Sequence, residues 1–423
     1  MQSVEDRDYF TDLSVLRDPY RYFEDIRGKG PVQWLDKYGI LLVTGFEEAL
    51  EVLRNSEDFS SIISTSGPVV PLPFEPEGDD ISGQIEAHRD IIAPTGLLVS
   101  YDGAQHIAAR SLLNSLFTPS RLRSNEQFME SYATQLVRDA VAAGECELIA
   151  QIATPYVTLV VADLLGVPEE DRETFRKVID AGPPPGDMEA ADQAAASYAL
   201  QFMAGYFARY IQERREHPQQ DVMTELAHAK FPDGSTPDLM EVVKGAMFLF
   251  AAGQDTSAKL LGNSMLRIAE DQALQRRLRD DPALIPAFLE EVLRLEGSTK
   301  ATFRLAKRKT RIGDVEVPAG TRITISFAAA NRDARRWPDP ATFEIGRPRI
   351  KEHVAFGRGA HVCIGAPLAR VEVRVLLERF LEQTQRIELS EAVHGPAGDR
   401  TLDYEASYII RGLERLNLVL TPR

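Results

Sequence analysis

Apolar residues recur three and four apart through most of the chain, the period of helices with one buried face. These runs predict helices over Asp102 to Phe117, Glu126 to Ala143, Ala190 to Glu216 and Asp238 to Glu270. The last carries start signals: Ser235 and Thr236 as caps, Pro237 in a first turn and Asp238 at the positive end. Its middle, GAMFLFAAGQDTSAKLLG, is apolar on most faces, which predicts a helix through the core rather than on the surface. Strand patterns are few and short. Ile40 to Val43 is one, and Leu416, Leu418 and Leu420 alternate near the end. Val315-Glu316-Val317 and Ile323-Thr324-Ile325 alternate on either side of Pro-Ala-Gly and read as a hairpin. The expected class is mainly α with small β-sheets. Two stretches follow neither period: residues 60–96, rich in Pro, Ser, Gly and acids and read as a mobile loop, and Ala181 to Asp187.

Composition adds exclusions. The 423 residues show no internal repeat, and 48 basic against 64 acidic residues leave a net charge of -16. Such a surface disfavours nucleic acid and anionic membranes, which both need a basic face. No apolar run reaches the roughly 18 residues of a spanning helix. The first twelve residues lack the basic start and apolar run of a secretory leader. Two cysteines, Cys146 and Cys363, supply no disulfide framework and suit a reducing cytoplasm.

Cys363 stands in Phe356 to Gly365, FGRGAHVCIG, just before the helical pattern APLARVEVRVLLERF. A lone cysteine is by default a small buried hydrophobe. That default gives no reason for the glycines or for His361. A turn opening onto a helix start favours the thiolate. Gly357 and Gly359 permit positive φ and close approach by a flat ligand, and Gly365 leaves room where the helix passes beneath it. One thiolate offered alone suits haem iron.

This string resembles the haem-binding loop of the cytochrome P450 superfamily, F-G-x-G-x-H-x-C-x-G, at every specified position, Phe356 included. The resemblance implies a mainly α P450 fold over residues 1–423 as one domain, with a small β-rich N-terminal portion. It implies haem b (iron protoporphyrin IX) with Cys363 as axial ligand to the metal. It also places an A-G-x-D-T-T-like motif in the long apolar helix, here Ala252-Gly253-Gln254-Asp255-Thr256-Ser257. Gly253 would clear space for dioxygen, while Asp255 and Thr256 would deliver protons to it. Without that context, an acid and a hydroxyl within a helix read as a satisfied polar pair. His106 and Arg110, four apart in YDGAQHIAAR, match the family's propionate-binding helix, and Arg304 and His361 match its other donors. Glu291 and Arg294 match a structural E-x-x-R pair bonded to a later arginine, here Arg347 in NRDARRWPDPATFEIGR.

By the same resemblance, substrate meets Leu97, Leu98, Val99, Phe248, Ala252, Gly253, Lys300, Ala301, Thr302, Tyr408 and Ile409, a mainly apolar lining for a small lipophilic molecule. Lys300 is the odd member, read as turned to solvent, with a carboxylate or sulfonate on the substrate as the other reading. The implied activity is a monooxygenase, acting as a monomer and using dioxygen and electrons from NAD(P)H. Those electrons would pass through a separate ferredoxin and ferredoxin reductase, docking on Arg110, Arg121, Arg123 and Arg358. A peroxide-driven peroxygenase and a non-catalytic haem sensor are the competing readings. The retained Asp255-Thr256 pair argues against both.

Overall fold

The computed structural model describes residues 7–180 and 190–423. The stretch Ala181 to Asp187 lies outside the described residues. The chain forms two compact units, one of Met1–Ile107, Leu293–Ile364 and Glu405–Arg411, the other of Ala108–Val292, Gly365–Tyr404 and Gly412–Arg423.

The first unit is built on a five-stranded sheet, in the order Val32–Leu35, Ile40–Val43, Arg322–Ser326, Ala301–Ala306, Phe59–Ser60. Ile40–Val43 runs parallel to Arg322–Ser326 and every other neighbour is antiparallel. All four residues of Ile40–Val43 are buried. Leu41 and Val43 pack with Phe46 and Trp337, whereas Ile40 and Leu42 pack with Tyr9 and Phe23. A strand covered on both faces reads as an unbroken apolar run, as this one does.

Two expectations change here. Val315–Val317 pairs with Thr310–Ile312 across Gly313 and Asp314, while Ile323 to Ile325 belong to the large sheet. The hairpin therefore lies on the other side of Val315 from Pro-Ala-Gly. Residues 60–96 also hold more structure than a mobile loop. They carry the helices Ser82–Ala87 and Arg89–Ile92, bury Ile62, Ile63, Ile81, Ile85 and Ile92, and the Ile81 amide donates to the Lys307 carbonyl at 2.8 Å.

The second unit is helical. Its longest helix, Leu239–Glu270, packs against Thr154–Leu164 and Ala366–Gln383, and the last of these lies along Pro119–Ala143. The long helix begins two residues later than its start signals suggest. Asp238 is the cap, closing a capping box in which its own amide donates to Glu241 at 3.1 Å. Ser235, Thr236 and Pro237 precede the helix. Pro119–Ala143 starts earlier than the apolar pattern, because Thr118 caps it and a proline fills its first turn. Of the alternating leucines near the end, Leu418 and Leu420 lie in Asn417–Pro422, the central strand between Glu145–Glu147 and Thr384–Leu389, and Leu416 precedes it. No helix among the described residues is long and apolar enough to cross a membrane.

Candidate functional site

The cysteine loop is a closed turn. The Cys363 amide donates to the Phe356 carbonyl, and the Gly357 amide to the Val354 carbonyl, each at 2.9 Å. Gly357 and Gly359 take φ of 68° and 73°, and a Cβ on Gly359 would collide with the Leu53 carbonyl oxygen. Glycine is thus required twice over at position 359, by sign of φ and by space. The turn leaves Cys363 exposed, three residues before the helix Ala366–Gln383, whose first turn contains Pro367. Cys146, in contrast, is buried on a strand, and burial pushes its thiol up to about 12. Of the two thiols, only Cys363 is presented to a ligand.

Three of the four expected anion donors lie in the first unit. The rings of His106 and His361 meet with centroids 4.0 Å apart. Arg304 is only 4% exposed, yet its guanidinium donates to the Phe303 carbonyl at 2.7 Å and to the Thr302 hydroxyl at 3.3 Å, both neutral. Burial lowers its pKa from 12.5 to about 10, opposed by the charge of Asp102. A buried guanidinium with neutral acceptors is suited to an anionic group brought from outside. Arg110, half-buried, belongs to the second unit. Within the first unit, Cys363, His106, His361 and Arg304 fit a flat, anionic prosthetic group whose metal takes a thiolate.

The long helix is open at its middle. Leu249 and Phe250 are buried before it and Ser257 through Leu266 after it, but Ala251 and Ala252 are exposed and Gly253 to Thr256 are half-buried. Thr256 Oγ1 donates back to the Ala252 carbonyl at 2.9 Å. Asp255 Oδ1 lies 3.9 Å from Lys259 Nζ. A Cβ on Gly253 would stand 3.1 Å from Val161 Cγ2, so the missing side chain lets the helix Thr154–Leu164 approach closely. Sequence reasoning passed over Lys259. Its signal was an acid and a lysine four apart inside an otherwise apolar run.

Of the residues expected at the substrate, Ala301, Tyr408 and Ile409 share one apolar cluster with Ile62, Ile85 and Phe303. Leu98 is buried, while Leu97, Val99, Thr302 and Phe248 are half-buried. Lys300 does not point to solvent. It is fully buried, and its ammonium donates to the Leu16 carbonyl at 2.6 Å. Its own amide donates to the Ile409 carbonyl at 2.6 Å, so its backbone fixes the turn that its side chain was expected to join.

Glu291 and Arg294 are buried on the helix Ile285–Glu296. Arg294 and Arg347 both donate to the Thr342 carbonyl, at 3.1 and 2.8 Å, and to the Pro340 and Pro338 carbonyls respectively. Arg347 ties the segment before the cysteine loop to itself, and Arg294 ties that segment to the helix Ile285–Glu296. The four arginines expected at a partner surface are not equivalent. Arg121 pairs with Glu225 at 2.7 Å, Arg358 donates to the Lys351 carbonyl, and Arg123 is exposed.

Fold and loop together define a helix-rich protein that holds out one thiol from a glycine turn. The cytochrome P450 family profile matches residues 188–392. Cytochrome P450 144 of Mycobacterium tuberculosis is 30% identical over 99% of this chain and 93% of its own length. Cytochrome P450 monooxygenase PikC of Streptomyces venezuelae is 30% identical over 94% of this chain and 90% of its own. The solved structure of Mycobacterium marinum cytochrome P450 CYP150A6 in the substrate-free form matches with a TM-score of 0.93 at 46% identity, covering 99% of this chain and 100% of that one. The chain belongs to the cytochrome P450 family, and is an oxidoreductase of the monooxygenase type.

Proposed function

We propose that the protein inserts one atom of dioxygen into a C–H or C=C bond of a small lipophilic molecule, with Cys363 as the haem ligand. The observation that carries this reading is the exposed thiol of Cys363 on a turn closed by its own amide. Haem, when bound, supplies dioxygen activation, with thiolate donation favouring O–O cleavage. On this reading both units act as one haem domain.

The side chains then have separable tasks. Arg304, His106, His361 and Arg110 hold the propionates, and Phe356, Gly357 and Gly365 shape the seat around the sulfur. Asp255 and Thr256 move protons from water towards the reacting oxygen. Ala252, Phe248, Leu97, Leu98, Val99, Ala301, Thr302, Tyr408 and Ile409 form an apolar lining that excludes water and admits a lipophilic substrate. The retained acid-hydroxyl pair favours reductive use of dioxygen over a peroxide-driven cycle. Electrons come from NAD(P)H through a ferredoxin and its reductase, in the cytoplasm.

The test is the visible spectrum of the reduced, carbon monoxide-bound protein. The red-shifted Soret band of a thiolate ligand is expected in the wild type and absent in Cys363→Ser and Cys363→His. An unchanged band in either variant would overturn the assignment of Cys363.

A further inference from the structure

Arg322 opens the strand Arg322–Ser326 in the middle of the first unit's sheet, and its guanidinium donates to four backbone carbonyls. Nη1 donates to those of Pro68, Val69 and Val70 at 2.8, 3.1 and 3.1 Å, and Nη2 to that of Tyr38 at 2.7 Å. Among the described residues no carboxylate pairs with it, although the chain has 64 acidic residues, and burial alone lowers its pKa from 12.5. Three successive carbonyls aimed at one nitrogen repel each other, so this turn keeps its shape only around a cation. The prolines at 68, 71 and 73 have no amide to offer, which removes the usual backbone means of closing such a stretch. The side chains of Val69 and Val70 are exposed. The turn is therefore held by its backbone, through Arg322, and not by packing of its own side chains.

The clamped turn adjoins residues assigned to the substrate. Gly67, just before it, takes a φ of 76°, and a Cβ there would stand 3.1 Å from the Tyr408 hydroxyl. Leu72 and Phe74, just after it, pack against the apolar cluster that holds Ala301, Tyr408 and Ile409. Tyr408 is also held by the start of the chain: its carbonyl accepts from the Tyr9 hydroxyl at 2.7 Å, and its ring meets Phe10 edge-on. We propose that Arg322 is a positioning residue for substrate selection, holding the turn of residues 67–70 against Tyr408 so that one wall of the apolar lining keeps its shape. This rests on the assignment of Ala301, Tyr408 and Ile409 to that lining. The planar fork of an arginine serves Tyr38 and the turn at once, which a single ammonium does not. Without the guanidinium the carbonyls turn to water, and Tyr408 and Leu72 lose their fixed contacts. The loss falls on molecules long enough to lie on that wall and spares those that stay at the haem iron.

The test titrates the haem-loaded full chain with imidazole and with N-dodecylimidazole, followed by visible absorbance. Both ligate iron, and only the second carries a tail into the lining. The readout is the ratio of their dissociation constants, which a loss of folded protein does not change. In Arg322→Ala the ratio is expected to move by about three- to tenfold against the tailed probe, the size of one lost charged contact. Arg322→Lys should restore it in part. Free guanidinium ion at non-denaturing concentration should restore it in Arg322→Ala, where urea does not. Gly67→Ala keeps the guanidinium but sets a methyl group and an unfavourable φ against Tyr408, and is expected to move the ratio in the same direction. It decides the matter if Arg322→Ala fails to hold haem. A ratio unmoved in both variants but altered in Tyr408→Ala would sink the proposal and leave the lining standing. One unmoved in Tyr408→Ala as well would overturn both. A loss that neither lysine nor guanidinium repairs would make Arg322 part of the sheet's framework alone, and would also overturn the proposal.

Discussion

Lys300 and Glu372 are both deeply buried against neutral partners, and burial moves their titrations in opposite senses. Lys300 falls from 10.5 to about 7, first through burial and then through the charge of Arg411. The unfolded chain therefore holds a proton between about pH 7 and 10.5 that the folded chain lacks, and stability rises with pH across that window. In Lys300→Met the slope disappears. The stability of wild type relative to the variant should increase by about 2 kcal/mol from pH 7 to 9. Urea unfolding at the two pH values measures this, and an equal difference at both would mean that Lys300 titrates normally. Glu372 rises from 4.5 to about 7 through burial, opposed by a hydrogen bond from Ser257. Here the unfolded state loses its proton first. The stability that protonation confers is complete below pH 4.5 and gone once pH passes about 7. Glu372→Gln, which keeps the shape without the charge, should thus be more stable than wild type at pH 8 by about 3 kcal/mol and lose most of that advantage at pH 5. Thermal unfolding at the two pH values checks it.

Elements succeed or fail in the sequence according to how local their causes are. The cysteine turn was legible because its causes lie within ten residues: the glycines, the amide-to-carbonyl closure and the following helix. Its one distant cause, the Leu53 carbonyl against Gly359, was invisible. Gly359→Ala is accordingly predicted to cost about 2 kcal/mol or more, combining unfavourable φ with a backbone collision. It should also diminish the thiolate spectrum in proportion to the displaced turn. A full spectrum with unchanged melting would show that the turn tolerates a side chain. Lys300, like Gly359, owes its environment to a distant part of the chain. Its acceptor, Leu16, is 284 positions away, and no local pattern announces a lysine bonded to a carbonyl. The misplaced hairpin had a readable signal, because Gly313-Asp314 between two alternating runs is a two-residue turn. The long helix agrees in its body and shifts at its start, since Ser235, Thr236 and Asp238 can all cap it and only the capping box with Glu241 selects Asp238.

At the scale of the molecule, a net charge of -16 sets how any electron donor approaches. An acidic ferredoxin is repelled by such a field at long range, so association must depend on a local cationic surface inside the screening length, about 10 Å at 0.1 M salt. The proposed surface is thinner than its arginine count suggests. Arg121 already has Glu225 as a partner at 2.7 Å, whereas Arg123 is exposed. Reversing the charge at Arg123 should therefore matter more than reversing it at Arg121, where the released Glu225 partly confounds the change. With an acidic ferredoxin as donor, Arg123→Glu is expected to raise the KM for ferredoxin by about two- to tenfold at low ionic strength, with kcat little changed. The gap to wild type should close as salt is added, because the effect acts on encounter rather than on electron transfer within the complex. Steady-state reduction rates at low and high salt separate the cases. A KM insensitive to Arg123 at low salt would place the docking surface elsewhere, and a loss of kcat that salt does not alter would mark Arg123 as structural instead.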